Sequence, residues 1–134
     1  MMSQSLQYLL IVDDNAGVCR LLFELFSDEG YIVETARSGA EALRIIRARI
    51  PSLILLDVKM PGMSGLETMD KIKEIVPDTP VVMMTAYTEL DTVMAAREEG
   101  KIRYYLSKPF ELDEMRLLVK KILSDRERKQ KLSG

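Results

Sequence analysis

The sequence predicts an α/β protein: a five-stranded parallel sheet, doubly wound, with five helices shared between its two faces. Three observations carry that expectation. Tyr8-Leu9-Leu10-Ile11-Val12, Leu53-Ile54-Leu55-Leu56 and Pro80-Val81-Val82-Met83-Met84 are apolar runs without helical spacing, the pattern of strands buried on both faces. Amphipathic helical patterns lie between the strands, and strict alternation of this kind builds a parallel sheet. The connections are short, which restricts how the elements can be joined. Residues 1–124 are expected to form one domain, with 125–134 a charged tail or a helix extension.

Met1 to Gln7 is polar and is expected to fray ahead of the first strand, Tyr8 to Val12, which Asp13 and Asp14 end. Val18, Leu21, Leu22, Leu25 and Phe26 recur at helical spacing, with Cys19 one step off the stripe as a small semi-buried residue. Gly30 suits that helix's end. Tyr31 to Ala36 alternates less clearly and reads as a strand nearer the sheet edge. Ser38 and Glu41 form a capping box for a second helix that turns Leu43, Ile46 and Ile50 to the core until Pro51 breaks it. After the central strand, Asp57 stands at the strand end and Pro61-Gly62 turns the chain. Ser64 and Glu67 open a third helix with Leu66, Met69, Ile72 and Val76 inward, and Pro77 stops it. The strand from Pro80 ends in Thr85-Ala86. Thr88 and Asp91 are placed to cap a fourth helix that runs to about Glu99 and closes at Gly100. Tyr104 to Ser107 is a short strand, followed by Lys108-Pro109-Phe110. The last helix buries Leu112, Met115, Leu118, Val119 and Ile122. Behind it, Asp125/Lys129 and Glu127/Lys131 have i,i+4 spacing.

Composition excludes several functions. Net charge −2 and pI ≈ 5.3 argue against direct binding to nucleic acid. No apolar run approaches the ~18 residues of a membrane span. A single cysteine, Cys19, forbids a disulfide within the chain, no signal peptide precedes the first strand, and the cytoplasm is the expected compartment. The absence of histidine removes His-based acid–base catalysis, His–metal sites and any role as a phosphohistidine donor.

The residues after the apolar runs are Asp13-Asp14, Asp57, Thr85 and Lys108. In a parallel sheet these ends share one edge of the molecule, so they converge. Taken singly, each has a plain structural role as a cap, a turn residue or a surface charge. Together, three carboxylates repel one another and one lysine does not neutralise them. Mg²⁺ with oxygen ligands does, in a shallow site that keeps several waters. A hydroxyl and an ammonium facing it suit phosphoryl oxygens. The set describes an aspartyl-phosphate site with Asp57 as acceptor.

From about Gln7 to Leu123 the chain resembles the receiver domains of two-component response regulators. Leu10-Ile11-Val12-Asp13-Asp14, Leu56-Asp57-Val58-Lys59-Met60-Pro61-Gly62, Met84-Thr85-Ala86 and Lys108-Pro109-Phe110 carry the resemblance in order and context. It implies the flavodoxin-like arrangement of that family and a role as a phosphorylation switch or phosphorelay intermediate. Asp57 would take a phosphoryl group from the phosphohistidine of a sensor histidine kinase. Asp14, Asp57 and the backbone carbonyl of Lys59 would ligate Mg²⁺, with Asp13 close by, partly through water. Thr85 and Lys108 would bind the phosphoryl oxygens, and Thr85 with Tyr105 would form the switch. The Lys108–Pro109 bond is commonly cis in the family. A histidine phosphotransferase or a downstream regulator would be the next partner. Such a domain is no conventional enzyme: its chemistry is Mg²⁺-dependent self-phosphorylation and slow self-dephosphorylation.

Asp57 to Gly65, Thr85 to Asp91 and Asp113 to Arg116 are most like single-domain members that serve as intermediates of a sporulation phosphorelay. One departure stands out. The family has six residues between the helix-ending glycine and the lysine, whereas Gly100 and Lys108 enclose seven, and Lys101-Ile102-Arg103 replaces a small-acidic stretch. Two further expectations concern reactivity. Lys59 and Tyr87 flank the line along which water would reach the phosphorus; a long cation and a bulky ring there, neither a general base, should slow hydrolysis. Asn15, Ala16, Gly17, Val18 and Leu21 follow the acidic pair and should dock the histidine-bearing partner, although Leu21 also fits a core role.

Within signalling, the rival reading is a receiver module excised from a longer transcriptional regulator. An aspartyl-phosphate phosphatase would need an acid two residues after its nucleophile at the first strand, and Asp13-Asp14-Asn15 lacks that spacing. No G-x-x-x-x-G-K-[ST] supports a P-loop nucleotidase. Acids at the strand ends would repel the phosphate of a flavin, which disfavours an electron carrier of the same fold.

Overall fold

The apolar runs become the middle of the sheet, because only a strand covered on both faces can hide every side chain. The computed structural model describes residues 6–133, with side chains through Lys129. The order is β1 (Tyr8–Val12), α1 (Ala16–Asp28), β2 (Ile32–Ala36), α2 (Gly39–Ala48), β3 (Leu53–Asp57), α3 (Gly65–Ile75), β4 (Val81–Ala86), α4 (Leu90–Glu98), β5 (Tyr104–Lys108) and α5 (Leu112–Ser133). All neighbouring strands are parallel, in the order β2-β1-β3-β4-β5, so the fold is the flavodoxin-like, doubly wound arrangement. β2 is an edge strand, as its weaker apolar pattern predicts.

Alternation along the strands divides the core. Leu9, Ile11, Leu53 and Leu55 pack with Cys19, Leu22 and Phe26 of α1 and Met115, Val119 and Ile122 of α5. Leu10, Val12, Ile54 and Leu56 pack on the other face with α2, α3 and α4. Each of these strand side chains is fully buried and contributes about 1.5–3 kcal/mol relative to exposure. Five of the nine methionines, Met60, Met69, Met83, Met84 and Met115, lie in this interior.

Several side chains depart from their sequence periodicity. The buried edge of α1 is Cys19, Leu22 and Phe26, while Leu21 is 45% exposed. The stripe is rotated toward Cys19, whose thiol reaches inward and donates to the Asp13 carbonyl at 3.2 Å. Burial, then the charge of Asp13, push that thiol up, which leaves Cys19 a packing residue rather than a nucleophile. Ile50 is 65% exposed rather than core. Helix α2 ends at Ala48 and Arg49 is extended (φ −157°), so Ile50 loses the helical phase ahead of Pro51. Leu112 opens α5 and is 36% exposed, with burial beginning one turn later at Met115. Thr88 does not cap α4. The chain makes a 3-10 turn over Tyr87–Glu89, Thr88 donates to the Glu89 carboxylate at 2.6 Å, and α4 starts without a side-chain cap.

Of the two expected capping boxes only Ser64–Glu67 closes reciprocally, in α3; at α2 Ser38 accepts from the Glu41 amide, but the Glu41 carboxylate accepts from the Arg37 amide instead, and Asn15 caps α1. Helix α4 closes at Gly100, whose φ of +80° is open to glycine alone at little cost. The seven-residue segment behind it buries Ile102 in the core and lays the Arg103 guanidinium over the Tyr104 ring at 5.3 Å. Helix α5 continues unbroken through the charged stretch. There Arg126 donates to the Ser52 carbonyl at 2.8 Å and Gln7 donates to Glu127 at 2.7 Å. Residues 1–5 and the Lys131 side chain lie outside the described residues.

Candidate functional site

Asp13 and Asp57 stand at the C-terminal ends of β1 and β3, adjacent strands from which the chain departs in opposite directions. That is the crevice in which doubly wound sheets bind ligands. Both carboxylates are buried, and Asp14 is half-buried beside them. One oxygen from each of the three lies within 4.8 Å of the others. Lys108, at the end of β5, donates to Asp13 at 2.8 Å and to Asp57 at 3.3 Å. The Asn15 amide donates to the second Asp13 oxygen at 2.9 Å, and Arg37 donates to the Asp14 carbonyl at 3.0 Å. One ammonium thus faces three acids.

The electrostatics follow from that count. Burial, then the charge of Asp13, push the Asp57 carboxyl from 3.8 up to about 6, Lys108 pulls it down and Asp14 adds to the rise. Partial burial pulls the Lys108 ammonium down, but its hydrogen bond and charge pairing with Asp13, and then with Asp57, outweigh this and raise it. The site is short of positive charge. A hard divalent cation suits a set of three carboxylates at a sheet edge, and these residues fit Mg²⁺ by donor type and by convergence.

Thr85 is fully buried at the end of β4, paired in register with Ser107, while Ala86 pairs with Lys108. Its hydroxyl donates to the Ala86 carbonyl at 3.1 Å. Tyr105 is half-buried on β5 and packs against the α2–α3–α4 side of the core, with the Arg97 guanidinium 5.6 Å over its ring. The Lys108–Pro109 bond is cis. Lys59 is exposed in the loop after Asp57. Tyr87 is 83% exposed, so packing does not hold its ring over the carboxylates. Asn15, Ala16 and Gly17 are exposed, Val18 is half-buried, and Leu21 presents apolar surface on α1.

The structure adds a residue that the sequence reading passed over. Gly65 is the first residue of α3, and its amide donates to the Val58 carbonyl at 2.7 Å. A Cβ at this position would run into the Asp57 carbonyl and the Val58 backbone. Only glycine lets α3 close on the end of β3, and this contact fixes the backbone that carries Asp57. The sequence signal was available: glycine, a poor helix former, directly follows the cap Ser64.

Residues 9–120 match the response regulator receiver domain. Sporulation initiation phosphotransferase F of Bacillus subtilis (strain 168) is 44% identical over 115 residues, which span 86% of this chain and 92% of that protein. The DNA-binding transcriptional regulator NtrC of Escherichia coli (strain K12) is 35% identical over 120 residues, 90% of this chain but 25% of the regulator. A solved response regulator receiver domain protein (CheY-like) from Methanospirillum hungatei JF-1 superposes with a TM-score of 0.86 at 30% identity, covering 93% of this chain and 99% of its own. Sheet order, sequence and structural likeness agree, and this chain belongs to the response regulator receiver domain family.

Proposed function

We propose that Asp57 is the phosphoryl acceptor of a cytoplasmic phosphorelay intermediate, charged by a sensor histidine kinase and discharged to a histidine phosphotransferase or downstream regulator. The observation that carries it is the gathering of Asp13, Asp14, Asp57 and Lys108 at one sheet edge. The likeness to phosphotransferase F over most of both chains supports the relay role over a module of a longer transcriptional regulator. Asp14, Asp57 and the Lys59 carbonyl would hold Mg²⁺ with Asp13 close by, and the ion would supply charge neutralisation at the phosphoryl oxygens. An Asp57 oxygen attacks the phosphorus in line as the bond to the donor nitrogen breaks. Lys108 already sits at the acceptor oxygen and can follow the phosphoryl group. Thr85 must exchange its bond to the Ala86 carbonyl for one to a phosphoryl oxygen. The direct test is one phosphoryl mass gained from acetyl phosphate with Mg²⁺ and none in EDTA.

The exposed start of α1 is the docking face in this reading. Leu21 offers apolar surface, and Ala16 and Gly17 leave room for a partner helix to approach Asp57. Ala16→Glu or Gly17→Glu should cut transfer from a phosphohistidine partner by about tenfold or more, the cost of desolvating an unpaired charge. Acetyl phosphate labelling should be unchanged. Equal loss with both donors would mean that the substitution damages the site itself.

Lys59 and Tyr87 tune the lifetime of the phosphorylated form. Because the Tyr87 ring is free in solvent, its shielding requires that it fold over the phosphoryl group once that group is present. Lys59→Asn with Tyr87→Glu should shorten the lifetime several-fold, since a short amide and an acid can orient the attacking water. Decay of radiolabelled protein measures this, and an unchanged half-life would remove both residues from the account.

A further inference from the structure

The opposite end of the sheet, where β4 and β5 begin, holds a groove of about 780 Å³. Lys73, Lys101, Arg103, Arg126, Arg128 and Lys129 line it, against only Asp78 and Asp125. With Glu99, which pairs with Lys101 at 3.4 Å from just outside the lining, six cations and three carboxylates leave this one feature at +3 on a chain whose total is −2. We propose that the groove binds a compact phosphorylated polyanion, of the nucleoside triphosphate or polyphosphate class. The proposal does not depend on the phosphoryl-acceptor reading.

Five features support a site rather than a scatter of surface charge. The volume falls in the range of about 300–1,000 Å³ typical of small-molecule sites. The floor is apolar: Met69, Val81 and Ile122 line it and are buried, with Tyr104 half-buried beside them. Cations stand on both walls. Lys101 and Arg103 come from the segment in which this chain departs from the receiver pattern, and Arg126, Arg128 and Lys129 come from the far part of α5. That part of the helix is held to the body of the domain by the Arg126–Ser52 and Gln7–Glu127 bonds, so the second wall is fixed. The Arg103 guanidinium lies over the Tyr104 ring at 5.3 Å, and its planar fork suits bidentate contact with phosphate oxygens. Burial lowers the Lys73 ammonium against the opposing charge of Asp78, so this cation is poorly solvated and gains from an anion. An acidic protein segment is the weaker fit, because the cations cluster around one small cavity rather than spreading over the ~800 Å² per partner of a stable protein interface.

The test uses the whole chain in EDTA at about 0.15 M salt, so that Mg²⁺ at the acidic site plays no part. ATP, AMP, tripolyphosphate and poly-L-glutamate are titrated by calorimetry, and amide shifts are followed by NMR. ATP and tripolyphosphate should bind one per chain, with shifts in residues 73–81, 100–104 and 125–129 and weaker binding of AMP. Tighter binding of ATP than of tripolyphosphate identifies the nucleotide as the source, and equal binding identifies polyphosphate. Lys73→Glu with Arg103→Glu should weaken binding by at least about tenfold. Arg20→Glu with Arg44→Glu carries the same charge change on exposed side chains outside the groove and should alter affinity less than about twofold. Lys101→Gln with Lys129→Gln, both exposed, repeats the loss without touching the floor. Equal weakening in the Arg20/Arg44 variant, tighter binding of poly-L-glutamate, shifts confined to Asp13, Asp14 and Asp57, or no saturable binding would each overturn the proposal.

Discussion

Asp57→Asn should abolish phosphoryl incorporation from acetyl phosphate, an expected loss of at least about a thousandfold, because no second carboxylate is placed to take its position in line with the donor. Asp13 is tied to Lys108 at 2.8 Å and to the Asn15 amide at 2.9 Å, so its oxygens are already engaged. The same substitution should stabilise the metal-free protein, which separates loss of the acceptor from loss of the fold. Between about pH 4 and pH 6 the folded state holds a proton on Asp57 that the unfolded chain, with its carboxyl at 3.8, has released. Stability therefore falls as pH rises through that window, and above it the full cost of the buried charge is present. At pH 7 in EDTA the variant should gain on the order of 2 kcal/mol, several degrees in Tm. Adding Mg²⁺ should stabilise the parent protein and change the variant much less. Continued phosphorylation of Asp57→Asn at the parent rate would refute the acceptor assignment. A variant less stable than its parent in EDTA would refute the account of the buried charge.

Gly65→Ala is expected to cost about 1–3 kcal/mol, the range for forcing a methyl into closely packed backbone. Relief requires α3 to move off the end of β3, because the obstructing atoms are the Asp57 carbonyl and Val58 main chain, which have no rotamer to adopt. The Gly65–Val58 hydrogen bond at 2.7 Å would lengthen with that movement. Asp57 would shift relative to Asp13 and Lys108, and the phosphorylation rate should fall with stability. Ser64→Ala is the comparison: it removes the α3 cap, at about 1 kcal/mol, without placing an atom against Asp57. It should retain the parent phosphorylation rate. Chemical denaturation and acetyl phosphate kinetics on both variants decide the matter. A Gly65→Ala protein as stable and as fast as its parent would show that the close approach does not position the acceptor.

How much of this was legible beforehand follows from what each signal encodes. Unbroken apolar runs have one good solution, a strand covered on both faces, so Tyr8–Val12, Leu53–Leu56 and Val81–Met84 were assigned from sequence and the sheet followed. Because parallel strands share a polarity, the residues that end them had to meet, and Asp13, Asp14, Asp57 and Lys108 were found together on that argument alone. Helix faces were less determined. Val18, Leu21, Leu22 and Leu25 satisfy helical spacing in more than one rotation, and packing against β1 and β2 chose the one that buries Cys19 and frees Leu21. Periodicity also ran past the true end of α2 to Ile50, since it counts residues without knowing where the backbone leaves the helix.

Some decisions belong to tertiary structure alone. The sequence names Thr85 but not the partner of its hydroxyl, and it names Tyr87 but not the solvent around its ring. The same holds for Gly65, whose need is set by a strand end seven or eight residues back that meets it only after folding. The basic groove is the clearest case. Lys73, Lys101–Arg103 and Arg126–Lys129 are scattered over more than fifty residues of a chain that is acidic overall, with no local pattern to unite them. Sequence by itself determined the strands, their alternation with helices, and so the edge where the acids converge, because burial on both faces and a common strand direction leave few arrangements. Which way each helix turns, which hydroxyls are engaged and which distant cations share a wall depend on contacts between elements, and those exist only in the folded chain.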